Sequence, residues 1–283
     1  MAYLLKGVPA GKAVAEDLEE RISNLSKRGI VPTVAIIRLG ENPDDIAYEK
    51  SVVKKFAKHN LETVLVTLPR DTEQDELIAK IEQINKDNKI NGVLMMRPLP
   101  KDIDEKEVCD VLSPDKDVDG ITSKSMAGLY AGDKDIFAPC TAEACVELLK
   151  FNNIELKGKN IVVLGRSLVI GKPVAMMLMK ENATVTVCHS KTENMEEICK
   201  KADIIISAIG RAKYVKESFT SHNQVIIDVG INYDEENNLC GDVDFQNVQD
   251  SVKAISPVPG GVGSVTTSIL MRHVVNSCEK MNH

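Results

Sequence analysis

The residues best suited to chemistry cluster between positions 165 and 191. Gly165-Arg166-Ser167 follows an apolar β-branched run at residues 161–164, and Gly171-Lys172-Pro173 opens an apolar, helix-favouring run. This order predicts a buried strand, a tight glycine turn and a helix start whose free N–H groups hold a phosphate. Arg166 places a guanidinium inside the turn. The loop is not a Walker A motif. It is one residue too long between Gly165 and Gly171, and Pro173 stands where the Mg²⁺-binding Ser or Thr belongs. A strict G-x-G-x-x-G fingerprint is also absent, so a purely structural turn is the plain alternative. His189-Ser190-Lys191 follows the next strand, where Rossmann-like domains read the cofactor ribose. A carboxylate there would accept from the 2′-OH of NAD. Ser190, with His189 and Lys191 beside it, suits a 2′-phosphate and therefore NADP. The alternative for these three residues is a solvated loop.

Two further clusters stand out. Asp115-Lys116-Asp117-Val118-Asp119-Gly120 is rich in acid but lacks the alternating ligands and final Glu of an EF-hand, and reads by default as a solvated turn. Pro257-Val258-Pro259-Gly260-Gly261-Val262-Gly263 holds its backbone to a particular path and exposes N–H and C=O groups to a flat ligand at a domain cleft. The histidines (59, 189, 222, 273 and 283) are scattered without ligand spacing, so no metal is expected. The seven cysteines form no CxxC pair and fit reduced thiols in a cytoplasmic protein.

The elements that position these residues alternate along the chain. Strands are expected at residues 32–38, 62–68 and 91–96, with helices at 10–27, 47–59 and 71–85, the last capped by Thr72. This βαβαβ order implies a parallel sheet covered by helices on both faces. After a loop-rich stretch, 113–139, a second series begins with a helix at 141–151 capped by Thr141. Strands follow at 161–164, 184–187, 203–207, 225–228 and 254–256, with helical segments at 172–180 and 194–201. A terminal helix at 266–279 is read as a strap returning to the first domain. At 283 residues the chain suits two α/β domains. These are expected at 1–138, joined by 264–283, and at 139–263, with a cleft between them. A formal charge of −7 argues against nucleic acid as the main partner. No apolar run is long enough to span a bilayer, and no signal peptide is evident in the first residues.

Taken in order, these segments resemble the methylenetetrahydrofolate dehydrogenase/cyclohydrolase family over nearly the whole chain. The carriers are Gly40-Glu41-Asn42-Pro43 with Tyr48, Arg97-Pro98-Leu99-Pro100, the 114–120 segment, Pro139-Cys140-Thr141, Gly165-Arg166-Ser167, Asp228-Val229-Gly230-Ile231-Asn232, Gly241-Asp242-Val243 and the 257–263 loop. The resemblance implies an N-terminal α/β folate domain and a Rossmann-like NADP-binding domain. It implies hydride transfer from 5,10-methylenetetrahydrofolate to C4 of NADP⁺, then water addition and ring opening to 10-formyltetrahydrofolate. By position it assigns Gly165, Arg166, Ser167, Ser190 and Ile231 to NADP. Tyr48 is assigned to the pterin or reacting ring, Asp119 to pterin hydrogen bonds, and Pro259, Gly260 and Gly261 to the folate cleft. It also implies a homodimer.

The chain departs from the family where the water step is handled. The usual Lys, four residues after the tyrosine, is Val52, and the usual Gln before Pro-Leu-Pro is Met96, followed by Arg97. Both changes remove polar groups from one task. Lys54 lies roughly 240° round the helix from Tyr48, and Lys55 lies on the same face roughly 10 Å along it. Arg97 could supply charge, but a guanidinium holds its proton and is a poor proton acceptor. Hydride transfer needs orientation and cofactor electrostatics, not a base. The expectation is an intact dehydrogenase with weak or absent cyclohydrolase activity. The alternatives are another NADP-dependent dehydrogenase, a non-catalytic folate- or nucleotide-binding regulator and, more remotely, a P-loop ATPase.

Overall fold

Apolar runs at residues 161–164 and 204–206 form the buried parts of the central strands Asn160–Leu164 and Ile204–Ser207, as parallel sheets require. The computed structural model describes residues 2–282; Met1 and His283 lie outside the described residues. The chain divides into two units, Met1–Lys12 with Thr141–Thr266, and Ala13–Cys140 with Thr267–His283.

The first unit is built on a six-stranded sheet. Its spatial order is Tyr3–Leu4, Ala254–Ile255, Val225–Asp228, Ile204–Ser207, Asn160–Leu164, Thr184–Cys188. Every neighbouring pair is parallel. After Tyr3–Leu4, Asn160–Leu164 is the first strand of this sheet along the chain, yet the next two strands pair on its opposite sides. A topological switch point therefore lies just beyond Leu164, where doubly wound sheets bind ligands. Val162, Leu164, Ile205, Ile226 and Ile255 belong to the core beneath it. The strand Tyr3–Leu4 is too short for periodicity to reveal. It is held by Tyr3 N–H to Lys253 O and Leu5 N–H to Ile255 O.

The second unit centres on Thr33–Leu39, paired in parallel with Glu62–Leu68 and Gly92–Met95. Ile37, Leu77, Ile81, Val93 and Met95 share its core. The terminal helix runs Gly263–Met281 and groups with this unit from Thr267 onward.

Several local expectations change. The helix expected at 10–27 is two helices, Gly7–Glu16 and Glu19–Lys27, because Leu18 N–H bonds to Ala15 O in a tighter turn that buries Leu18. Helix Pro43–Lys58 starts earlier than expected, with the Asn42 side chain accepting from Asp44 N–H and Pro43 at the first turn. Thr72 is not a cap; its hydroxyl donates to Pro69 O ahead of helix Gln74–Lys86. Nor is Thr141, which lies inside helix Cys140–Phe151. The loop-rich stretch contains helix Ser123–Ala131, capped by Thr122.

Candidate functional site: a phosphate loop and a tyrosine–aspartate pair

In the first unit the chain turns sharply after Leu164. Gly165 has φ +114°, and a Cβ there would lie 2.2 Å from Ala208 O. A Cβ on Gly171 would lie 2.2 Å from Gly165 O, so the two glycines let the loop fold back against the helix start. The helix Gly171–Lys180 does not offer free N–H groups as the sequence suggests. Ser167 Oγ accepts from Ile170 N–H at 3.1 Å and from Gly171 N–H at 3.4 Å, Ser167 O accepts from Lys172 N–H, and Pro173 has no N–H. The unpaired donors lie one turn back along the chain. Among the described residues, the N–H groups of Arg166, Ser167, Leu168 and Val169 bond to no protein group. The Ser167 hydroxyl accepts from the helix and keeps its own O–H to donate outward.

A cavity of about 260 Å³ opens at this point, lined by Gly165, Arg166, His189, Ser190, Arg211 and Tyr214 among others. The register pairs Leu164 with both Cys188 and Ser207, which brings three strand ends together at its floor. Lys191 N–H donates to His189 Nδ1 and Thr192 N–H to His189 O, which shapes the turn that presents Ser190. No carboxylate lines the cavity. Sequence reasoning missed Arg211; its signal was a cation just past the end of strand Ile204–Ser207.

Behind the cavity lies a buried acid pair. Asp228 accepts from Gly230, Asp242 and Val243 N–H groups. Asp242 accepts from Ile209 N–H, Arg211 N–H, Ser207 Oγ and Asn232 Nδ2. Burial pushes the Asp228 carboxyl up to about 7, against the pull of its three N–H donors. This network fixes the ends of two strands and leaves Ile231 73% exposed beside them. In the 257–263 loop, Gly260 O accepts from Gly7 N–H at 2.8 Å, while Pro259 stays exposed and Gly261 is buried.

In the second unit, Asp119 and Tyr48 interact. Burial first, then the Asp119 charge, raises the Tyr48 hydroxyl well above its ordinary value, while a hydrogen bond to Thr267 opposes this. The phenol is therefore neutral near pH 7. Burial also raises Asp119, while Cys140 N–H, donating at 3.1 Å, and the Arg97 charge pull it down. The acidic segment is not a solvated turn. Asp117 is fully buried and accepts from Ile121 and Thr122 N–H, and buried Lys116 donates to Ile84 O and Asp87 O. These bonds hold the backbone that carries Asp119. Tyr48 is set by the next residue, Glu49, whose carboxylate takes a 2.9 Å ion pair from buried Arg38.

Glu49, Val52 and Phe56 form the buried stripe of helix Pro43–Lys58, and Val52 is 0% exposed. Met96 is buried, its N–H bonded to Ile37 O. Arg97 pairs with Glu105, which also accepts from Leu99 N–H. Lys54 is exposed. Lys55 is half-buried, bonds to Ser268 Oγ, and its ammonium is held below its ordinary value by burial and by Lys58. Among the described residues no cluster of His, Cys, Asp or Glu is arranged to hold a metal. No helix among them is long and apolar enough to cross a membrane.

Comparison with known proteins assigns both halves of the chain to one family. The family model described as tetrahydrofolate dehydrogenase/cyclohydrolase, catalytic domain, matches residues 5–119, and the NAD(P)-binding domain of the same family matches residues 139–282. A bifunctional protein FolD from Clostridioides difficile is 48% identical over 280 residues, covering 99% of this chain and 98% of the relative. The crystal structure of the FolD methylenetetrahydrofolate dehydrogenase/cyclohydrolase from Campylobacter jejuni superposes with a TM-score of 0.96 at 34% identity, over 99% of each chain. The Trypanosoma brucei FolD structure, complexed with NADP cofactor and inhibitor, gives 0.93 at 31% identity, over 99% of this chain and 98% of its own.

Proposed function

The chain belongs to the tetrahydrofolate dehydrogenase/cyclohydrolase family, and we propose that it oxidises 5,10-methylenetetrahydrofolate with NADP⁺ while its cyclohydrolase step is weak or absent. The observation that carries the first half is the cavity beyond Leu164. Its glycine cradle, free N–H groups, Arg166 and Ser190 fit a phosphorylated dinucleotide, and it has no carboxylate for an unphosphorylated ribose. When bound, NADP⁺ supplies a hydride acceptor at C4 of its nicotinamide. Gly165 admits the close approach, Arg166 neutralises phosphate charge, and Ser167 and Ser190 donate hydroxyls. Ile231 offers an exposed apolar side chain to a flat ring. On the folate side, neutral Tyr48 lies along the ring and Asp119 accepts from pterin N–H groups. The backbone of Pro259, Gly260 and Gly261 offers further contacts. None of these roles moves a proton, and hydride transfer needs none moved.

The second half rests on Val52 and Met96. Both side chains are buried apolar groups, so neither accepts or relays a proton to water. Lys55 is already bonded to Ser268, two turns along the helix from Tyr48. We further propose a cytoplasmic homodimer. The edge strand Glu62–Leu68 carries Val64 and Leu65 at 41% and 50% exposure, apolar surface that a second copy would cover. Light scattering tests the dimer. For the reaction, NADPH formation that depends on methylenetetrahydrofolate is the expected result. Tight NADP binding without NADPH formation would instead identify a regulator.

A further inference from the structure

We propose that Arg211 is a specificity-determining residue that, with Arg166, grips the 2′-phosphate of NADP. This inference rests on the NADP reading above and extends it to a residue beyond those the sequence pointed to. Arg211 lines the same cavity as Arg166 and Ser190. Neither guanidinium has a carboxylate partner among the described residues. Two cations facing one cavity repel each other unless an anion sits between them, and a dianionic phosphate accepts from both.

Arg211 is also held in place before any ligand arrives. Its backbone N–H donates to the buried Asp242 carboxylate at 2.9 Å, and the same carboxylate holds Ile209 N–H at 2.7 Å. Its guanidinium carbon lies 4.8 Å from the centroid of the Tyr214 ring. Tyr214 in turn packs on Phe219, with ring centroids 5.6 Å apart. An arginine anchored at its backbone and resting over a ring loses less freedom on binding than one free in solvent. A surface arginine that served only solubility would need neither restraint. The same stacking would also suit an adenine ring, and the test is chosen to separate the two roles.

The experiment compares dissociation constants of NADP, NAD and 2′,5′-ADP for the wild type, Arg211→Gln and Arg166→Gln. Arg211→Gln removes the charge together with the guanidinium over Tyr214, so the comparison of NADP with NAD is what separates phosphate recognition from stacking. The expected result is a loss of about 10-fold or more for NADP and 2′,5′-ADP, within the range of a charged hydrogen bond, with NAD changed less than about 2-fold. The salt dependence of NADP binding also becomes shallower. Arg211→Lys, which restores charge without the planar fork, recovers part of the loss. An equal loss for NADP and NAD assigns Arg211 to adenine or to structure and overturns the proposal, as does no loss for either. A wild type that binds no NADP would overturn the cofactor reading itself, a distinct outcome.

Discussion

The phosphate loop and the tyrosine–aspartate region handle polar groups in opposite ways. Beyond Leu164 the chain leaves donors and cations unpaired at a cavity, and spends two glycines to bring backbone close to it. Around Tyr48 the polar groups are paired inward, and Val52 and Met96 are buried apolar side chains. An unpaired donor at a cavity is a binding site waiting for its partner. A buried valine beside a neutral phenol offers water no base. The contrast separates a step that needs positioning from a step that needs a proton acceptor, and the proposed loss of the water step rests on it.

The sharpest way to break the contrast is to damage the loop alone. Gly165→Ala puts a Cβ against Ala208 O at positive φ, which costs several kcal/mol locally. NADP affinity should fall by about 100-fold or more, with folate binding, followed by ligand fluorescence, retained. Equal loss of both would show that the two regions are not separable.

Next in size is the acid pair that holds the strand ends beside the cavity. Asp228→Asn sets an amide N–H against backbone donors and should cost about 2–4 kcal/mol in denaturant unfolding. The wild type carries a pH signature of this group. Its carboxyl, raised to about 7 in the fold, keeps a proton that the unfolded chain has released above about pH 4. Stability from this group therefore falls as pH rises from about 4 to about 7 and levels above that. The Asp228→Asn variant should lack this slope.

Most of the architecture was legible because parallel strands announce themselves as apolar runs, as residues 161–164 and 225–228 do. The start of helix Pro43–Lys58 was also written in Asn42-Pro43, a capping signal that periodicity alone passes over. Thr72 and Thr141 misled because a hydroxyl near a helix start has other acceptors within reach. The buried state of Asp117 and Lys116 was not legible, since it depends on acceptors at Ile84 and Asp87, far off in sequence. Arg211 was hidden for the same reason: only the sheet order sets its strand beside the one ending at Leu164.

Ser167 gives the smallest effect and refines the loop side. Ser167→Ala removes an acceptor for two helix N–H groups and one outward donor. It should cost about 1 kcal/mol of stability and lower NADP affinity by less than about 10-fold.

On the other side of the contrast, Val52→Lys with Met96→Gln should raise methenyl hydrolysis by about 10-fold or more, the scale of one proton-transfer group. The central claim is tested most directly in the wild type. Absorbance records NADPH formation and the methenyl product separately, at a pH where spontaneous hydrolysis is slow. Methenyltetrahydrofolate should accumulate in step with NADPH and then decay no faster than without enzyme. Decay at a rate comparable to NADPH formation would contradict it.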